Sequence, residues 1–116
     1  MNRRFRLTSS TDFKRVRRTG KSYAHPLAIL LVSPNALPNS RFGITASRAL
    51  GSAVHRNRAK RLLREALRNY LDKAIGGWDI VFVARPTLIE ADWTDVQHAV
   101  ANLLRRASLL EKNLDH

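Results

Sequence analysis

The residues of this chain best suited to chemistry form one dense basic run between positions 56 and 68. The run contains six Lys or Arg residues and a single acid, Glu65. Guanidinium groups fork onto phosphate oxygens and stack on base planes, so such a run is suited to contacting RNA. Four polar side chains of the run share an arc of about 60° on an α-helix. They are Asn57, Arg61, Arg64 and Arg68.

An apolar face lies behind this arc, which predicts a helix over residues 55–72 that packs on a core. The face contains Ala59, Leu62, Leu63, Ala66, Leu67 and Tyr70. Like charges three or four residues apart destabilise an isolated helix by about 0.2–0.5 kcal/mol per pair. A merely solvated face normally mixes the two signs of charge. The pattern therefore favours an RNA-binding face over a solvated one.

The charge of the whole chain is divided unequally between its two parts. The 116 residues include 21 Lys and Arg against 9 Asp and Glu, a net charge of +12. Residues 1–70 contain 16 basic and two acidic residues, whereas residues 71–116 contain five and seven. This asymmetry predicts one polyanion-binding face, although a solvated basic surface or attraction to a membrane surface would share it. Trp78 and Trp93 lie outside the basic part, and we expect them to be packing residues rather than base platforms.

The composition also excludes several classes of protein. The absence of Cys excludes disulfides, thiolate chemistry and Cys-based zinc sites. No apolar run approaches the roughly 18 residues of a membrane span, and the basic N-terminus is not followed by the apolar region of a secretory signal. Carboxylates in residues 1–70 are limited to Asp12 and Glu65, and the four His show no ligand spacing. We therefore expect a cytoplasmic protein with no catalytic residue and no metal site of its own.

The elements that must position the basic run can be placed from local patterns. Ser9 is a suitable N-cap for a first helix that ends at Gly20. Residues 23–33 and 41–48 predict two strands joined as a hairpin, and the continuous apolar run 79–85 predicts a strand buried on both faces. A last helix begins at Asp92, with its core stripe at Val96, Ala99, Val100, Leu103, Leu104 and Ala107.

This order, α-β-β-α-β-α, predicts an α/β two-layer sandwich in which helices pack on a small mixed sheet. The length predicts a single domain over residues 1–116, with a core at about 3–110 and a frayed tail at 111–116.

The basic run also resembles the signature of the bacterial ribonuclease P protein subunit. Residues 53–65 reproduce its Arg-Asn-Arg core, the following Lys-Arg-Leu and the Arg one turn later. Residues 7–20, 41–48 and 79–86 resemble the opening helix, the strand before the motif and the final strand of that family. The resemblance covers roughly residues 3–110.

The resemblance implies a protein that binds a catalytic RNA and the 5′ leader of precursor tRNA. In that family the RNA subunit removes the leader and uses Mg²⁺, and the protein needs neither a membrane nor an obligate protein partner. It also implies a left-handed β-α-β crossover, where the general handedness rule would predict a right-handed one. The residues that match the RNA-facing motif are Arg56, Asn57, Arg58, Lys60, Arg61 and Arg64, and the helical arc adds Arg68.

A leader-binding cleft between the first helix and the sheet is the second site that the resemblance implies. Phe13 matches the aromatic that lines this cleft. Arg17 stands where many members, and Leu31 where some members, have a further aromatic, so base stacking is reduced at both positions and Arg17 is left to stack or contact phosphate. Ser47 and Arg48 complete the predicted cleft.

Two other functions remain open from the sequence. A ribosomal type of structured-RNA-binding protein would share the basic helix without any part in tRNA processing. A stand-alone nuclease would cleave RNA without a partner, although the scarcity of carboxylates in the basic part argues against it.

Overall fold

The computed structural model describes residues 5–110, and within that range it shows one four-stranded mixed sheet and three α-helices. Short 3₁₀ turns follow β3, α2 and β4. The predicted tail, 111–116, and residues 3 and 4 of the predicted core lie outside the described residues. In chain order the elements are α1 (Ser10–Thr19), β1 (Lys21–Ala24), β2 (Ala28–Pro34), β3 (Arg41–Ala46), α2 (Ala53–Leu67), β4 (Trp78–Ala84) and α3 (Trp93–Arg106).

The sheet has the strand order β1-β2-β4-β3, with β3 parallel to β4 and the other pairs antiparallel. The predicted hairpin of the strands before and after residues 34–40 is therefore wrong, because β4 lies between β2 and β3. β4 is the strand that is buried most evenly on both faces, and a strand of that kind is most stable where both of its edges are paired.

The predicted single strand over residues 23–33 is also wrong, because it is two strands joined by a tight turn. Pro26 lies in that turn, where its missing N–H leaves no ladder bond unmade. His25 Nδ1 accepts the backbone N–H of Leu27 at 3.1 Å, which closes the turn. The chain thus contains one more strand than predicted, while the predicted α/β architecture of helices on a small mixed sheet is confirmed.

Alternate residues of the strands face two different groups of helices. Leu30 and Phe82 belong to the main core, in which α2 and α3 cover one face of the sheet. Val81, which points to the other face, packs with Leu7 and with Val16 of α1. The two faces are therefore covered unequally, by two helices on one side and by α1 alone on the other.

The ends of the helices follow local sequence signals. Ser9 Oγ accepts the Asp12 N–H at 3.5 Å, and α1 stops at Gly20, where a Cβ would lie 2.3 Å from the Val16 carbonyl oxygen. α2 begins two residues before the predicted start, with Ser52 as its N-cap, and its α-helical geometry ends five residues before the predicted end. Asp92 precedes α3 as predicted, but its side chain makes no capping hydrogen bond.

No helix within residues 5–110 combines the length and apolar character that a membrane crossing requires.

Candidate RNA-binding site

The exposed face of α2 and the turn after it carry a row of polar side chains, four of them cationic, which we call the arginine ridge: Asn57, Arg58, Arg61, Arg64 and Arg68. All five are exposed. In the part of the chain that the structure describes, no carboxylate lies within 4 Å of Arg58, Arg61 or Arg64. Arg68 pairs with Glu65 at 3.2 Å, but both side chains are more than half exposed. The ridge thus presents guanidinium groups to solvent with little internal neutralisation.

The opposite face of α2 fixes the direction in which the ridge points. Four of the six predicted apolar residues, Ala59, Leu63, Ala66 and Leu67, are buried in the main core. Burying a Leu side chain contributes about 1.5–3 kcal/mol, so a rotation of the helix that hid the ridge would be costly. The other two predicted residues, Leu62 and Tyr70, are half-buried at the edge of the same core.

Arg56 and Lys60, the other two residues predicted to face RNA, are less exposed than the residues of the ridge. Arg56 is half-buried and donates a hydrogen bond from Nη1 to the Gly51 carbonyl oxygen, in the loop that precedes α2. Lys60 is also half-buried. These two cations therefore flank the ridge rather than project from it.

Phe13 lies on the other face of the sheet, directly over Gly43 of β3. A Cβ at Gly43 would lie 2.5 Å from Phe13 Cζ, so only glycine allows the ring to approach this closely. Leu31 and Val83 pack beside Phe13 against the cluster under α1. The structure therefore brings Phe13 and Leu31 together, as the predicted cleft requires, with Arg17 exposed one turn after Phe13 on α1.

Part of this sheet face is left open by α1. Ile29, Leu31, Thr45 and Val83 point to the same side as Val81, and all four are half-buried. We call these four residues the open sheet face. A half-exposed surface of this kind offers apolar contact to a ligand that does not fit into a deep pocket.

Ser47 and Arg48 lie beyond the end of β3 and not beside Phe13. The Ser47 N–H donates to the Ala84 carbonyl oxygen at 3.0 Å, and Ser47 Oγ accepts the Ala49 N–H at 3.2 Å. The Ser47 hydroxyl is therefore engaged in ending the strand. Arg48 is exposed at this end of the sheet.

A cavity of about 540 Å³ connects the two predicted sites around the outer edge of β3. Phe13 and Gly43 line it from one side, and Arg64 of α2 lines it from the other. Residues 6–8 form its rim, because the Leu7 N–H donates to the Phe42 carbonyl oxygen at 2.8 Å and holds this segment along β3. A second recess of about 230 Å³ is lined by Arg61, Arg64, Glu65, Arg68 and Leu71. Sequence reasoning missed this continuity, because it follows from β3 being an edge strand.

Two arginines of the basic part have a different environment, which the sequence did not reveal. Asp79 is fully buried and accepts hydrogen bonds from Arg41 Nε and Nη2, at 2.9 and 2.8 Å, and from Asn35 Nδ2 at 3.0 Å. Arg15 Nη2 also donates to this carboxylate, and Asp12 lies 3.5–3.6 Å from both guanidinium groups. We call this group the Asp79 cluster.

The charges in the Asp79 cluster are balanced internally. Burial alone would raise the pKa of Asp79, but hydrogen bonds from Arg41 and Asn35 and the nearby guanidinium charges hold it below its usual value. The hydrogen bond to Asp79 also raises the pKa of Arg41. The Asp79 cluster therefore ties α1 to the sheet as a stable ion pair and offers no free charge to a ligand.

The described residues do not fit a Mg²⁺ site. No three His, Asp or Glu side chains within residues 5–110 come together in an arrangement that could hold a metal ion. The carboxylates of Asp12 and Asp79 are directed at guanidinium groups.

Comparisons with known proteins agree on one family. The family model described as Ribonuclease P matches residues 1–108. The ribonuclease P protein component of Herpetosiphon aurantiacus is 44% identical over 109 residues, which cover 94% of this chain and 89% of the relative. That of Chloroflexus aurantiacus is 42% identical over 111 residues, which cover 95% and 82%.

Solved structures show the same similarity. The RNase P protein of Staphylococcus aureus superposes with a TM-score of 0.81 at 27% identity, covering 92% of this chain and 98% of the other. The RNase P protein of Thermotoga maritima superposes with a TM-score of 0.76 at 34% identity, covering 87% and 96%.

Proposed function

The chain belongs to the ribonuclease P family, as the protein component of that tRNA-processing endoribonuclease, and we propose that it binds its RNA partner through the arginine ridge of α2. One observation carries this proposal. Arg58, Arg61 and Arg64 are exposed on one side of a helix whose other side is buried in the core, and no carboxylate of the described residues lies within 4 Å of their guanidinium groups.

The physical basis of the proposed contact is the exchange of counterions for guanidinium groups. Arg is weakly hydrated and binds phosphate oxygens in pairs, so phosphates can replace water at the ridge with little loss. Each phosphate that is neutralised releases condensed counterions from the RNA, which makes the affinity fall steeply as salt rises. The protein also lowers the repulsion between two RNA strands that must come together for processing.

The open sheet face is our proposed site for the single-stranded 5′ leader of precursor tRNA. Phe13 and Leu31 supply apolar surface there, and the cavity at the β3 edge leads from Phe13 to Arg64. Bases would pack on the sheet while phosphates contact exposed cations such as Arg17 and Arg48. Because Leu31 offers contact but no π-face, we expect apolar packing to contribute more at this position than stacking does.

In this proposal the RNA subunit performs the cleavage and holds the Mg²⁺ that the reaction uses. The chain supplies binding and charge neutralisation, needs no further protein and acts in the cytoplasm. The protein's own part is then to raise substrate affinity and to let the RNA work at a low Mg²⁺ concentration.

A three-way cleavage assay tests the proposal. Precursor tRNA is incubated at low Mg²⁺ with the protein alone, with ribonuclease P RNA alone, and with both, using one substrate with a long leader and one with a leader of a single nucleotide. We expect efficient cleavage at the mature 5′ end only with both components, and a larger effect of the protein on the long-leader substrate. Cleavage by the protein alone would indicate a stand-alone nuclease. Binding to unrelated structured RNA without any help to cleavage would indicate a ribosomal type of binding protein.

A further inference from the structure

The two tryptophans of the chain lie in different environments. Trp78 is half-buried and packs against the main core, as expected for a packing residue. Trp93, the first residue of α3, is 41% exposed and belongs to neither core cluster, so its expected role as a packing residue stays a prediction. An indole ring on the surface needs an explanation, because large aromatic side chains are the ones that gain most from being covered.

Trp93 borders the arginine ridge. A cavity of about 370 Å³ lies between α2 and the start of α3, and it is lined by Arg58, Arg61, Leu62, Glu65 and Trp93. Arg61 also lines the recess that it shares with Arg64 and Arg68. The ridge therefore has an aromatic ring at each side, with Phe13 beyond Arg64 and Trp93 beyond Arg58 and Arg61.

We propose that Trp93 is a stacking platform for an unpaired base of the ribonuclease P RNA, with Arg58 and Arg61 contacting the phosphates on either side of that base. The inference rests on the proposed binding of RNA by the arginine ridge and adds a base contact to it. An indole face accepts any base by stacking, and guanidinium groups at its border supply the charge that a single-stranded segment needs.

Glu65, the acidic residue in the same cavity, determines which edge of the bound base faces α2. Glu65 is held by Arg68 at 3.2 Å and lies on the far side of Arg61 along α2. Its carboxylate repels phosphate and accepts hydrogen bonds, so a base edge with amino or imino donors faces Glu65 while the backbone lies along Arg58 and Arg61.

Charge decides between RNA and a second copy of this chain as the partner of Trp93. Val54, one turn before Arg58 on α2, is a second apolar side chain that is largely exposed, at 73%. Two copies that covered this surface would bring their Arg58 and Arg61 side chains together, in a chain whose net charge is +12. A polyanion covers the same surface and neutralises these charges.

Fluorescence tests the proposal directly, because the chain has only two Trp residues. In a Trp78→Phe variant, Trp93 is the only tryptophan and reports on its own surroundings. We expect its emission to be quenched when ribonuclease P RNA is added to saturation. Trp93→Ala should weaken binding of that RNA about tenfold, within the range of about 5- to 150-fold that stacking of one base represents. Trp93→Phe, which keeps an aromatic face, should restore most of the affinity.

The outcomes separate this inference from the proposal on which it rests. Unchanged Trp93 emission at saturating RNA, with Trp93→Ala binding as tightly as the unsubstituted chain, would overturn the stacking site and leave the ridge as the RNA contact. Sedimentation that shows a dimer without RNA, lost in Trp93→Ala, would assign the surface to a second copy and overturn it as well. Failure of the unsubstituted chain to bind the RNA would overturn both proposals. If Trp93→Ala alters the circular dichroism spectrum, the emission of the Trp78→Phe variant decides the question.

Discussion

The arginines of the basic part, residues 1–70, have different environments in the Asp79 cluster and on the arginine ridge. Arg15 and Arg41 converge on a fully buried carboxylate and lock α1 onto the sheet. Arg61 and Arg64 lie on α2 as exposed residues and, within residues 5–110, form no ion pair. The residues are arginines in both places, and they differ because the buried Asp79 pairs with only one of the two groups.

The comparison shows that net charge overstates the number of cationic side chains that are available to bind a polyanion. Residues 1–70 contain 16 basic residues, but two of them, Arg15 and Arg41, are paired with Asp79, which lies outside this part of the chain. Ion pairs of this kind serve the fold, because the buried carboxylate of Asp79 has given up its hydration and depends on the two guanidinium groups. Exposed guanidinium groups retain theirs and can exchange it for phosphate.

The largest expected effect is the loss of the buried acid. Asp79→Asn removes the charge that Arg15 and Arg41 share, and we expect the free energy of unfolding to fall by about 3 kcal/mol, the lower end for a broken buried pair because both guanidinium groups can still reach water. Urea unfolding followed by circular dichroism measures this. Glu65→Gln is the matched control, since its exposed pair with Arg68 is worth at most about 1 kcal/mol. Equal losses in the two variants would erase the distinction between buried and exposed pairs.

Substitution of arginines on the ridge, in contrast, should affect RNA binding and not folding. Arg61→Ala combined with Arg64→Ala removes two charge-assisted contacts of about 1.5 kcal/mol each, so we expect affinity for ribonuclease P RNA to fall about 100-fold with stability nearly unchanged. If the chain neutralises about six phosphates, the log–log salt slope of about −4 should become about −3 in this variant. Titrations at several salt concentrations measure both quantities.

The control for that double variant removes the same charge elsewhere. Lys73 and Arg105 are exposed in the acidic part of the chain. Lys73→Ala combined with Arg105→Ala should leave affinity within a few fold of the unsubstituted chain. An equal loss in both double variants would mean that overall charge, and not the ridge, determines binding.

The smallest expected effect is a pH dependence of the stability that the Asp79 cluster contributes. The pKa of Asp79 is lower in the folded chain than in the unfolded chain, so its stabilisation is present above the unfolded pKa and is lost as the pH falls through the folded value. The stability difference between the unsubstituted chain and Asp79→Asn should therefore be full at pH 7 and shrink below about pH 4. Urea unfolding at pH 7, 5 and 3 measures it. A difference that stays constant to pH 3 would contradict the role of the ionised carboxylate.

Much of α2 and its ridge could be predicted because the relevant signals are local. The alternation of Leu63 and Leu67 with Arg61 and Arg64 determines which side of the helix is buried, and the structure confirms that side. Ser9 and Gly20 likewise fixed the ends of α1 through contacts that span three or four residues. The functions of the individual ridge and cleft residues stay predictions until they are tested.

The features that could not be predicted depend on contacts between distant parts of the chain. Asp79 lies 64 residues from Arg15 and 38 from Arg41, and nothing near any of them indicates the pairing. The choice of β4 as the partner of both β2 and β3 is of the same kind, because each strand pattern predicts a strand but not its neighbour. The position of Trp93 beside the arginine ridge could not be predicted either, because it depends on how α3 packs against α2.

The placement of β4 in the middle of the sheet has a consequence for the order in which the protein is synthesised. Nearly the whole basic part leaves the ribosome before residues 78–84 are available to join β2 and β3. Until then Arg15 and Arg41 lack their buried counterion, and the nascent chain is an unneutralised polycation next to ribosomal RNA. Completion of a single late strand therefore both closes the sheet and supplies the buried carboxylate that Arg15 and Arg41 share.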